Sequence, residues 1–210
     1  MSNAMSAEPA SVRETTLVHN LHRRATSLLA DVATRSTIPV ESVVELRDFL
    51  VAALHHHHES EDDILWPMIE KIAPEAAAPL ADLGEEHGAL DKALNRLSAV
   101  VAHEPGGREA LESAAVDVRD LLHRHLDHEE QILLPALRAH ITDEAWTRFS
   151  QQVIATAPPD GAHLMFGFLD QVGAPEDVDL IIDNLPDPLR EAVPALRQQG
   201  HAALSTLQST

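Results

Sequence analysis

Residues 55–67 read HHHHESEDDILWP, and residues 123–135 read HRHLDHEEQILLP. The two segments agree at His55/His123, His57/His125, Glu61/Glu129, Ile64/Ile132, Leu65/Leu133 and Pro67/Pro135, each pair offset by 68 residues (57 to 125, 61 to 129). His19 and His87 share that offset. A segment that occurs twice has to fold twice into the same local structure. Apolar residues at three- and four-residue spacing around both copies specify helix. On a helix, His57 and Glu61 project from one face, and so do His125 and Glu129.

The same periodicity predicts four long amphipathic helices. The first covers about 12–33, with Val18, Ala25, Leu29 and Val32 on one side. The second starts at Val40 or Glu41, carries Leu46, Leu50, Ala53, His57, Glu61, Ile64, Leu65 and Met68 on one face, is kinked or interrupted at Pro67, and ends at Ala73-Pro74. The third covers about 78–102, up to the turn His103-Glu104-Pro105-Gly106-Gly107, and the fourth about 108–140. Short connections between long helices predict an all-α, up-down-up-down four-helix bundle over residues 12–142, made of two repeated helical hairpins. Prolines at 158, 159, 175, 186 and 188 punctuate the remainder into short helical pieces such as 162–172 and 175–185, with Phe166 and Phe168 expected to pack it down. Residues 143–210 therefore read as an irregular helical extension, packed on the bundle or on a second protomer of a homodimer. Ser2-Asn3-Ala4-Met5 reads as an expression-tag remnant ahead of a native start at Met5, and residues 1–11 as a disordered N-terminus.

The composition narrows the chemistry. The chain has no cysteine and no tyrosine, which excludes disulfides, thiolate-bound zinc, iron–sulfur clusters and phenol acids. Its net charge of −19 argues against nucleic acid and membrane as partners. With no secretion signal visible, a cytoplasmic protein is expected. Glu61 and Glu129 lie on apolar stripes with no lysine or arginine beside them. A buried carboxylate needs a cationic partner. His19 and His87 sit on the inner sides of helices one and three. Four imidazoles and two carboxylates exceed one tetrahedral zinc site. They suit two ions, each with two histidines, bridged by the glutamates, and the donor types fit iron, manganese or zinc. His22, three residues after His19, is an alternative ligand, but the repeat pairs it with apolar Leu90. His55, His56, His58, Glu59 and Asp62 or Asp63 read as facing solvent or standing behind the ligands.

His19, the run His57-His58-Glu59-Ser60-Glu61 with Leu65-Trp66-Pro67, His87 after Glu86, and His125 to Glu130 resemble the hemerythrin-like (HHE) cation-binding domains over about residues 12–140. The resemblance implies a four-helix bundle with a non-haem, carboxylate-bridged di-iron centre that binds or senses dioxygen, nitric oxide or iron. It makes His19, His57, His87 and His125 terminal ligands, and Glu61 and Glu129 bridges. Oxygen-carrying members have a further histidine four residues from the one in helix three. Here the positions four away from His87 are Leu83 and Asp91, which implies a more open site. Two iron ions are the expected cofactors, with zinc or manganese as alternatives, and a binding protein is expected rather than an enzyme. The alternatives are a di-iron redox enzyme reducing peroxide or nitric oxide, with His22 or Asp91 as proton donor, and a structural helical module holding zinc or no metal.

Overall fold

The computed structural model describes residues 8–209, apart from the side chains of 76–78, 81 and 82. The expected tag remnant lies outside the described residues. Among those residues every regular element is a helix. Four of them, with a short continuation of the second, carry the repeat: α1 (Ala10–Val32), α2 (Val40–Ser60) continued by α3 (Trp66–Ile72), α4 (Ala77–Ser98) and α5 (Gly107–His140). Of the expected disordered N-terminus, residues 1–7 lie outside the described residues. Helix α1 is already formed at Ala10 and Ser11 is buried, because Pro9 caps the helix from an extended conformation.

Helix α1 packs on α2 and α5, and α4 packs on α2 and α5. Neighbours run in opposite directions. The Arg108 guanidinium at the start of α5 donates to Ala33 O, Arg35 O and Ile38 O beyond the end of α1, while Glu130 near the other end of α5 meets His19. Across α2 and α4, Arg47 reaches Val100 O and Asp62 reaches His87.

Pro67 does not simply kink its helix. It lacks the N–H that an α-helix requires, and its ring would crowd the carbonyl four residues back. The backbone widens over Glu61–Leu65 into a single π turn, where Trp66 N donates to Glu61 O. Pro135, its counterpart in the repeat, is accommodated inside the uninterrupted α5. The repeat is thus broken locally at Glu61, where a π turn coincides with a candidate ligand.

The extension is more regular than its prolines suggest. It consists of α6 (Asp143–Thr156), α7 (Ala162–Val172), α8 (Pro175–Asp183) and α9 (Asp187–Leu207). Pro175 and Pro188 sit in first turns and Pro186 is an N-cap, so these prolines start helices rather than break them. The extension packs on its own bundle: α7 and α8 cover α1, and α9 covers α7 and α2. Helices α7 and α9 touch at Gly167 and Gly200, where a Cβ on Gly200 would lie 2.1 Å from His163 O. Phe166, Phe168 and Leu204 join the same apolar cluster as Leu21, Leu50 and Leu122. A second cluster at the opposite end joins Val12, Leu65, Trp66, Leu83 and Leu133 to Trp146 and Phe149 of α6. No described helix is long and apolar enough to cross a membrane.

Candidate metal centre

Between the two apolar clusters lies a buried polar layer. Each repeat-bearing helix feeds it at the point where its apolar stripe passes from one cluster to the other, as from Leu54 through His57 and Glu61 to Leu65. The six residues expected as ligands all meet there. His57 Nε2 lies 3.3 Å from Glu61 Oε1, and His87 Nε2 lies 3.5 Å from Glu61 Oε2. His19 Nε2 and His125 Nε2 lie 3.6 and 3.5 Å from Glu129 Oε2. Each carboxylate therefore stands between one imidazole of its own helix and one from a neighbour. The 68-residue offset maps one arrangement onto the other, 57 with 125 and 87 with 19.

A seventh donor joins them. His58 is 2 % exposed and stacks on His87 with ring centroids 4.5 Å apart. His58, His87 and His125 present nitrogens within 4.8 Å of one another, and His19, His57, Glu61 and Glu129 form a second such group. The expectation that His58 faces outward is wrong, because α2 turns two adjacent histidines inward on either side of Glu61. The expected balance of two imidazoles per ion becomes two on one side and three on the other. His22 belongs to neither group. It is buried and meets the His57 ring edge at 4.8 Å.

Carboxylates behind the layer orient the imidazoles. Glu130 accepts from His19 Nδ1 at 3.0 Å and Asp62 from His87 Nδ1 at 3.0 Å, again a pair at the repeat offset. Glu86 accepts from His125 Nδ1 at 2.8 Å, and Asp91 from His58 Nδ1 at 3.3 Å and His55 Nδ1 at 3.1 Å. Asp91 is thus not free to act as the proton donor that the redox-enzyme alternative needs. It stands behind His58. Arg23 anchors Glu130 at 2.6 Å. Burial opposes ionisation of Glu130, but its bonds from His19 and Arg23 prevail and hold its pKa at about 2.

With a carboxylate on Nδ1 of His19, His58, His87 and His125, the proton of these imidazoles is fixed there and Nε2 presents a bare lone pair to the layer. His87 Nε2 and His125 Nε2 face each other at 3.2 Å. Two lone pairs at that distance repel unless a cation lies between or beside them. The Nε2 atoms of His19, His57 and His58, Oε2 of Glu61 and both carboxylate oxygens of Glu129 are buried without any hydrogen-bond partner. The ionic partners of Glu61 and Glu129 among the described residues are histidines alone. Burial, reinforced by Glu129, pushes Glu61 well above the usual carboxylate range. Burial and the neighbouring imidazoles hold His57 and His58 well below theirs, so they are neutral, as ligands must be. Buried polar atoms in native folds are almost all satisfied. This concentration of unsatisfied donor atoms fits bound metal cations.

The sequence model of one family, the Hemerythrin HHE cation binding domain, matches residues 13–137. The chain belongs to that family. No curated protein and no solved structure matches it. The HHE match spans α1 to α5 and stops short of α6, so the extension adds elements that the family match does not cover. In HHE terms, His58 supplies from α2 an imidazole for the His87 side that neither Leu83 nor Asp91 could supply from α4. The repeat held a signal for it: position 58 pairs with Leu126, which is fully buried. Asp62 likewise pairs with Glu130, and both lie behind candidate ligands, His87 and His19.

Proposed function

We propose that residues 12–142 form an up-down-up-down four-helix bundle holding two iron ions, and that the protein binds or senses a diatomic ligand, dioxygen or nitric oxide, at that centre. One observation carries the reading: seven donors, six of them buried and several with no partner, are arranged as two carboxylates, each between imidazoles of two helices. In this reading His58, His87 and His125 hold one ion, His19 and His57 hold the other, and Glu61 and Glu129 bridge. Imidazole and carboxylate donors without thiolate suit iron over copper(I) or cluster chemistry. Bound iron would supply reversible one-electron chemistry and coordination positions for a small ligand.

The rest is done by the chain. Glu130, Asp91, Asp62 and Glu86 fix His19, His58, His87 and His125 in the tautomer that offers Nε2. The two apolar clusters exclude bulk water above and below the layer. The side with two imidazoles is less filled by protein donors. His57 and Glu61 on that side also line a cavity, so a small ligand has an approach there. Position 126, where the two-fold repeat would place a sixth histidine, is apolar Leu126.

The test is to load the protein with ferrous iron under argon and titrate it with dioxygen and, separately, nitric oxide, following absorption. A saturable change that reverses when the gas is removed is expected. Steady consumption of nitric oxide or added peroxide would favour the redox enzyme instead. No spectral response to either gas would refute ligand binding.

A further inference from the structure

The cavity beside the polar layer is larger than a diatomic ligand needs. It measures about 550 Å³ and lies between α1 and α2 on one side and the four helices of the extension on the other. That volume falls within the range of about 300–1,000 Å³ of small-molecule sites. Its wall is mostly apolar: Val18, Phe49 and Leu65 come from the bundle, and Phe149, Met165 and Leu189 from the extension. Protein interiors rarely keep voids larger than a water molecule, because atoms lining a gap lose their contacts. The turn before α7 forms part of the wall. Gly161 adopts φ +79°, and a Cβ there would meet the Phe49 ring at 2.7 Å, so the turn is seated closely on the bundle.

The polar lining is sparse and selective. No lysine or arginine lines the cavity; its ionisable residues are Glu14, Glu61, Asp160 and three histidines, His22, His56 and His57. Glu14 is buried and already accepts a hydrogen bond from Ser150. One wall residue outside both groups of candidate ligands has a buried polar atom with no partner, His22 through Nδ1, and its neutral imidazole can donate or accept. The Trp146 indole N–H, which can only donate, lies beside the Glu14 carboxylate. A carboxylate head would stand among acids with no cation to balance it.

We propose that this chamber binds an uncharged amphiphile, a mainly hydrocarbon body with a single hydroxyl or carbonyl oxygen, held between the extension and the bundle. It contacts His22 and His57, so its occupant shares a wall with the metal layer. The site does not depend on which metal that layer holds, or on whether it is loaded.

Isothermal titration of the full-length protein with 1-decanol, with metal content measured on the same samples, tests this. Saturable binding of 1-decanol is expected in both metal-loaded and metal-stripped protein, with sodium decanoate and decylammonium at least tenfold weaker. Ala192→Phe, which fills the chamber from α9, is expected to weaken 1-decanol at least tenfold while metal content stays at the wild-type value. Absence of saturable binding, decanoate or decylammonium binding as tightly as the alcohol, or undiminished binding by Ala192→Phe would each overturn the proposal. The wild-type comparison of the three probes stands even if the variant folds poorly. Loss of metal binding with retained decanol binding would refute the metal reading alone.

Discussion

Replacing Glu61 with Leu should have opposite effects on the metal-free and the metal-loaded protein. Glu61 is 3 % exposed, has no lysine or arginine partner, and leaves one carboxylate oxygen unsatisfied. Without a cation, that carboxylate either ionises in a poorly compensating site or takes up a proton, and both destabilise the fold. Burying a polar group without a compensating hydrogen bond costs about 1–3 kcal/mol, and leucine in its place removes that cost. Glu61→Leu should therefore stabilise the metal-stripped protein by about that amount. With metal the order reverses. A ligand at a thousandfold excess over its Kd adds about 4 kcal/mol to wild-type stability. For a chain of this size that corresponds to a rise in Tm of about 8–16 °C. The variant loses a donor shared between His57 and His87, and most of this gain with it. The assay is thermal and urea unfolding of both proteins in chelator and in anaerobic ferrous iron. Equal metal-induced gains in the two proteins, or a variant less stable than wild type in chelator, would refute the reasoning.

His58→Ala should lower iron bound per chain, whereas His56→Ala, whose ring meets Thr156 at the surface, should leave it unchanged; metal analysis after dialysis distinguishes them. Asp62→Asn and Glu130→Gln should each weaken metal affinity by about 10–100-fold, measured by chelator competition, because they remove the acceptor that orients His87 or His19. Burial raises the Glu14 pKa, so its folded form holds a proton more tightly than its unfolded form. Its penalty is absent below the unfolded value of about 4.5 and grows as pH rises through the folded value. Glu14→Gln keeps an acceptor for Ser150, and urea unfolding should find it more stable than wild type at pH 7.5, with the difference vanishing by pH 4. Gly200→Ala should destabilise by about 1–3 kcal/mol in the same assay, because its methyl group would strike His163 O where α7 and α9 touch.

The helices and the six candidate ligands that meet in the polar layer were legible because they obey one period and one offset. An apolar stripe interrupted by His and Glu four apart has few physical solutions, and the 68-residue register separated His19 from His22. His58 was obscured by its setting in a run of four histidines, where local polarity suggests solvent. Its partner in the repeat, Leu126, points inward, so the register carried information that composition hid. The carboxylates behind the ligands were harder, because Glu86, Asp91 and Asp62 lie off the stripes and become relevant only when helices pack. The π turn at Glu61 depends on how one helix accommodates Pro67, which its twin accommodates otherwise at Pro135. The extension was legible in part: the helical pieces expected at 162–172 and 175–185 agree with α7 and α8, whereas α6 and α9 went unread because proline both breaks helices and starts them. Pro175, Pro186 and Pro188 do the latter. Phe166 and Phe168 pack the extension down as expected, but where it sits also depends on the Gly167–Gly200 contact, which no periodicity within the four repeat-bearing helices anticipates.

The central claim is that the layer of His19, His57, His58, His87, His125, Glu61 and Glu129 holds two ions. Elemental analysis of protein loaded with ferrous iron and passed through a desalting column tests it most directly. Two iron ions per chain are predicted, falling by at least half in Glu129→Leu. One ion per chain, or none, or an unchanged count in that variant, would contradict it.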